Sequence, residues 1–185
     1  MTKNKIMSRN DNNLGNIYNI QSEWSEYLPD WHPWENYQDF YMSWKTGGGG
    51  ALLDISHEID YLNWIFGSIQ EVNGLIGTVS DLDISSDDLS SSILRFKSGL
   101  IGELHLDLLQ FDESRYCKVI FTDGVVVADL MSNEIRTFAK NSKKWKIKKL
   151  KVDFNKVYEN AAVPYMEKTL SAEKALEKAS SEMKR

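Results

Sequence analysis

His57 sits in a segment where polar groups recur at helical spacing. Asp54, His57 and Tyr61 fall at i, i+3 and i+7, which places them on one face of a helix. Leu52, Ile55, Ile59 and Leu62 occupy another face. A histidine beside carboxylates can give or take a proton near neutral pH. Four glycines, Gly47, Gly48, Gly49 and Gly50, precede the segment. They let the backbone approach a second group closely and aim a helix N-terminus at it. The same spacing also fits a solvated polar face behind a tightly packed glycine loop, and spacing alone does not choose.

Metal chemistry finds less support. His57-Glu58-Ile59-Asp60-Tyr61 approaches the H-E-x-x-H zinc pattern, but Tyr61 stands where the second histidine belongs. His32 and His105 are remote in sequence, so no metal is expected. The acidic run 80–92 fails as a calcium loop because Ser86 replaces the sharp-turn glycine, and it reads as a solvated loop. Neither a G-x-G-x-x-G turn nor a P-loop occurs in these residues.

A second chemical feature is Tyr27-Leu28-Pro29-Asp30-Trp31-His32-Pro33-Trp34. Aromatic rings near carboxylates and a histidine suit sugars, because rings stack on C–H faces while polar groups bond hydroxyls. An aromatic plug under a loop is the competing explanation. His105 alternates with Leu104 and Leu106 along a strand pattern, and a non-catalytic place is expected for it.

The elements that position these residues follow from periodicity. Residues 15–28 partly alternate and predict a strand. Residues 29–46, with two prolines and many aromatics, predict an ordered loop with a helical turn. One amphipathic helix is expected over 51–66, stopped by Gly67. Period-two runs then predict strands at 69–79, 91–97, 100–109, 115–122, 125–130, 134–139 and 145–152. Turn chemistry such as Asp123-Gly124 joins several of them, which implies antiparallel pairing. Residues 140–151 carry seven lysines, as a soluble edge hairpin would. Residues 154–185 return to helical composition. The expected fold is α+β: a large, mostly antiparallel open β-sheet with helices packed on one face. Residues 1–13 read as a loose segment and 14–185 as a single domain.

A net charge of −5 argues against broad nucleic-acid binding. No apolar run long enough for a membrane span occurs, and residues 1–13 lack the apolar stretch of a signal peptide. The single cysteine, Cys117, excludes an internal disulfide and reads as a small buried hydrophobe. A cytoplasmic location is the expectation.

The run Gly-Gly-Gly-Gly-Ala-Leu-Leu-Asp-Ile-Ser-His-Glu-Ile-Asp-Tyr-Leu-Asn-Trp-Ile-Phe-Gly at 47–67 resembles the start of the C-terminal domain of the Gfo/Idh/MocA oxidoreductases. Leu14-Gly15-Asn16-Ile17, Ser98-Gly99-Leu100-Ile101-Gly102 and Asp123-Gly124 are similar too, so the resemblance spans roughly residues 14–158. The aromatic segment with Tyr37 and Tyr41 resembles a sub-branch associated with nonulosonic-acid and other surface-sugar biosynthesis.

The resemblance implies an open-sheet substrate domain, accompanied in the family by a Rossmann domain that binds NAD or NADP. That domain and the family's Glu-Lys-Pro segment have no counterpart in these residues. It implies that His57 is the acid/base for the sugar hydroxyl. Asp54, Trp31, His32, Tyr37, Tyr41 and Tyr61 are the expected substrate contacts. Gly48, Gly49 and Gly50 would lie near the nicotinamide if a Rossmann partner joins. Many members place an aspartate four residues before this histidine; here Leu53 is there and Asp54 is three before. The partners implied are a carbohydrate, a separate Rossmann domain and a second copy through the open sheet face. Without the partner domain, no turnover is expected. A silent sugar-binding or oligomerisation module is the alternative.

Overall fold

A computed structural model describes residues 14–150. The expectations for residues 1–13 and 154–185 lie outside the described residues. Strand β1, Ile17–Tyr27, leads into a four-residue helix α1, Leu28–Trp31. Three tight helical turns follow at Tyr37–Asp39, Tyr41–Ser43 and Lys45–Gly47. Helix α2, Ala51–Asp54, and helix α3, His57–Phe66, come next. Then seven strands run in series: β2 Ile69–Gly77, β3 Leu89–Phe96, β4 Ile101–Asp107, β5 Leu109–Phe121, β6 Gly124–Asp129, β7 Glu134–Ala139 and β8 Trp145–Lys149.

These strands form one sheet in the order β2-β3-β4-β1-β5-β6-β7-β8. The lysine-bearing hairpin is an edge, as its composition implied. Consecutive strands pair antiparallel. The exception is β1, which enters between β4 and β5 and runs parallel to β4. Short turns could not announce that pairing, because β1 and β4 are linked through all the intervening helices and two strands.

The single helix expected over 51–66 is two helices. Backbone at Ile55 leaves the helical region (φ −87°, ψ 16°), and Ser56 becomes the N-cap of α3. The break re-aims the chain so that Ala51, Ile55 and Leu62 all reach the sheet and are buried. They join Ile20, Leu94, Phe96, Leu104, Leu106, Cys117 and Val119 in one core. Each large apolar side chain so buried contributes about 1.5–3 kcal/mol.

The acidic run 80–92 is not simply solvated. Asp88 is fully buried and accepts hydrogen bonds from Val79 N (2.8 Å), Ser80 N (3.0 Å) and Ser80 Oγ (2.6 Å). Asp87 binds the start of α2 through its side chain, with Leu52 N donating to Oδ2 at 2.9 Å. The sequence shows the charges but not that backbone N–H groups would fold over them.

Candidate active site at the start of helix α3

Register builds the site. On β1, Trp24 lies directly across from Arg115 of β5 and beside Leu106 of β4. Ser22 lies across from Cys117. Directly opposed residues have their side chains within reach of one another, and helix α3 packs onto this patch.

His57 opens α3. Its ring meets Trp24 edge to face, with centroids 4.5 Å apart and planes at 66°. The other face of the cluster is Arg115, whose guanidinium carbon lies 3.6 Å from the Trp24 ring centroid. The indole N–H of Trp24 donates to Glu26 Oε1. His57 is exposed at its outer side, yet desolvation against Trp24 pushes its pKa below the ordinary histidine value. The positive charge of Arg115 acts in the same direction, while Asp54 opposes both. A neutral imidazole is thus favoured near pH 7, the state that accepts a proton.

Asp54, at the end of α2, is held by Tyr41, whose hydroxyl donates to Oδ1. A hydrogen bond links the His57 ring to the Asp54 backbone. Tyr41 stacks at a tilt on Phe40 (4.6 Å), and Phe40 meets His32 (4.8 Å) and Trp31 (6.5 Å). His32 stacks on Trp34 at 5.2 Å. The aromatic segment therefore reaches Asp54 through a row of rings that ends at Tyr41. Trp31 Nε1 is buried, with no hydrogen-bond partner among the described residues.

Two expected contacts sit elsewhere. Tyr37 turns toward the acidic loop, where the Asp83 amide donates to its hydroxyl at 3.4 Å. Tyr61, on the sheet side of α3, has its hydroxyl 2.5 Å from Ser22 Oγ, and burial pushes that phenol far above its usual pKa. So Asp54, His57 and Tyr61 do not present three polar groups to one open surface.

Four neighbours were not among the expected site residues. Glu58 is fully buried and takes two hydrogen bonds from Arg115, Nε at 2.9 Å and Nη2 at 2.6 Å, both to Oε1. Burial raises the Glu58 pKa, and the guanidinium offsets only part of that rise. Glu26 is raised to about 7 by burial, against the Trp24 hydrogen bond, and Glu113 adds to the rise. Trp24 completes the set. A signal existed: Glu58 falls on the apolar stripe with Ile55 and Leu62, and Arg115 begins the inward alternation that continues through Cys117 and Val119.

The glycines have packing reasons of their own. A Cβ on Gly49 would lie 2.3 Å from the Met42 carbonyl, and one on Gly50 would lie 2.4 Å from Asp87 Oδ1. Gly48 has a left-handed φ of 78° and open space around its Cα. The first amides of α2 already bind Asp87: Ala51 N donates to its carbonyl at 2.8 Å and Leu52 N to its carboxylate. This run does not fit a pyrophosphate, so no cofactor step is assigned to it. Among the described residues, no cluster of three or more His, Cys, Asp or Glu side chains could hold a metal.

The sequence profile of the GFO/IDH/MocA C-terminal domain matches residues 9–127. The chain belongs to the Gfo/Idh/MocA family. No functionally curated protein matches the sequence. Among solved structures, levoglucosan dehydrogenase in complex with NADH and levoglucosan is similar at 19% identity and a TM-score of 0.62, over 74% of this chain and 40% of that one. The WlbA dehydrogenase from Bordetella pertussis, in complex with NADH and UDP-GlcNAcA, is similar at 21% identity and a TM-score of 0.55, over 82% and 43%. An NAD-binding oxidoreductase from Klebsiella pneumoniae gives 20% and 0.60, over 79% and 42%. The chain thus spans about 40% of the length of these structures. At such identities the likeness establishes the family's sheet domain as the fold.

Proposed function

We propose that this chain is the substrate-binding and acid/base domain of an NAD(P)-dependent sugar oxidoreductase, acting with the family's Rossmann domain. The single observation that carries this is His57: it opens α3 against Trp24, next to Asp54, with a depressed pKa. In this role His57 accepts the proton of a sugar hydroxyl whose carbon yields hydride, and returns it in the reverse direction. Asp54 orients the imidazole through the short turn between α2 and α3. The row Trp31, His32, Phe40 and Tyr41 offers ring faces to the sugar.

A nucleotide-linked or simple sugar is the substrate class. Family membership supports it, as do the sugar ligands named for the levoglucosan and WlbA dehydrogenases. The aromatic segment favours the surface-sugar sub-branch, although Asn36 and Gln38 leave an acidic sugar without a cation there. The hydride carrier, NAD or NADP, is held by the partner domain. A second copy covers the open sheet face, where Leu75 and Ile93 are exposed; a strict monomer in light scattering would overturn that part. Among the described residues no helix is long and apolar enough to cross a membrane, and the buried single thiol suits a reducing compartment.

The decisive test supplies the dinucleotide-binding domain in trans and compares wild type with His57→Ala. A loss of about 10²-fold or more in kcat is expected, and unchanged turnover would remove the acid/base role. NADH added to this chain alone should give no thermal shift, and micromolar binding would refute the need for a partner domain.

A further inference from the structure

Glu58 follows His57 directly, yet the two side chains leave α3 in different directions. His57 shows at the surface, and Glu58 is fully buried against the sheet. A buried carboxylate persists only when paired. Arg115 supplies the pair from β5, with two of its N–H groups on a single carboxylate oxygen. That fixes the plane of the guanidinium, since its fork cannot rotate without breaking one bond. The same plane lies 3.6 Å from the Trp24 ring centroid. Trp24 is then held at two points, its face by Arg115 and its N–H by Glu26. The ring so held is the one that His57 packs on.

We propose that Arg115, anchored by Glu58, is the positioning residue for His57 and acts through the Trp24 ring. The proposal rests on the acid/base role given above, but its geometry and test do not need turnover. Three elements converge: β5 brings the cation, β1 the indole, and α3 both the anchor and the histidine. Arg115 also adds its charge to the histidine's surroundings. The charged groups acting on His57 are Arg115 from β5 and Asp54 from α2; on β1, Glu26 accepts from the indole N–H and is itself influenced by Glu113. Arg115 alone among them is cationic. Removing it therefore takes away the repulsion that disfavours the imidazolium and also frees the ring beneath it.

The side-chain 15N–1H NMR of His57, titrated in the full chain, reads both consequences. In wild type the ring protons carry an upfield shift from the indole and titrate below the ordinary histidine midpoint. Arg115→Met with Glu58→Gln removes the pair without leaving a buried charge, so the fold is kept. In that variant the upfield shift should collapse, and the midpoint should rise toward the ordinary histidine value. Arg115→Lys keeps the charge and loses the fork, so the midpoint should stay low while the ring shift weakens. Trp24→Leu should abolish the ring shift with Arg115 intact. If the double variant is folded by circular dichroism and His57 keeps both its ring shift and its midpoint, Arg115 is structural only and the proposal fails. If Arg115→Lys matches wild type in both signals, positioning by the fork is wrong. A catalytically silent His57 with these shifts would overturn the acid/base role alone.

Discussion

The two faces of the sheet each hold a histidine near a buried carboxylate, and they set it oppositely. On the helix side His57 meets Trp24 and the charge of Arg115, and its pKa is lowered. On the open side His105 donates from Nε2 to Asp107 at 2.8 Å, and that hydrogen bond raises its pKa. Burial opposes ionisation of Asp107. Hydrogen bonds from His105, Ser25, the Leu109 amide and Gln110 outweigh it and hold the carboxyl at about 2. The lesson concerns the carboxylate's other partners. Glu58 spends its charge on an arginine, which then faces the first histidine. Asp107 has no arginine and turns its charge on the second.

Removing the anchors should produce the largest effects and the clearest asymmetry. Glu58→Ala leaves the Arg115 charge half-buried and unpaired, and should cost about 3–5 kcal/mol in urea unfolding. Asp107→Asn keeps the shape and loses the charge, and should cost about 1–3 kcal/mol. Equal costs would break the comparison. Next in size are the midpoints themselves. His105 should titrate above His57, and Asp107→Asn should bring His105 back toward 6.5.

The signs of the pH effects on stability differ too. The folded His57 binds its proton less tightly than the unfolded one. Folding stability is therefore lost as pH drops below about 6.5. His105 binds its proton more tightly when folded, so its contribution is present below 6.5 and is lost as pH rises through its folded pKa. His57→Gln and His105→Gln should flatten opposite limbs of the stability–pH curve. The widest window belongs to Glu26. Its folded pKa of about 7 lies above the ordinary 4.5, so stability falls as pH rises between those values, and Glu26→Gln should remove that slope. Chemical denaturation at a series of pH values measures all three.

Much of the frame was legible in the sequence. Period-two runs located every strand after Gly67, because a half-buried strand must alternate. The edge lysines and the buried Cys117 followed from composition; burial pushes that thiol up to about 12. Part of the site was legible as well, since His57 and the aromatic segment carry recognisable types at recognisable spacing. The break between α2 and α3 was hidden, because an apolar stripe continues across it. The surroundings of Tyr37 were hidden for a similar reason: its neighbours in sequence say nothing about the Asp83 amide it meets.

What the sequence by itself determined is the set of elements and the histidine that opens α3, since both depend on local periodicity and residue type. Only the tertiary structure decided who surrounds that histidine. Glu58 and Arg115 are 57 residues apart and meet because β1 inserts between β4 and β5, which sets Trp24 across from Arg115 beneath α3. Nothing local encodes that insertion, because its energy comes from apolar surface buried only when the whole sheet closes around β1.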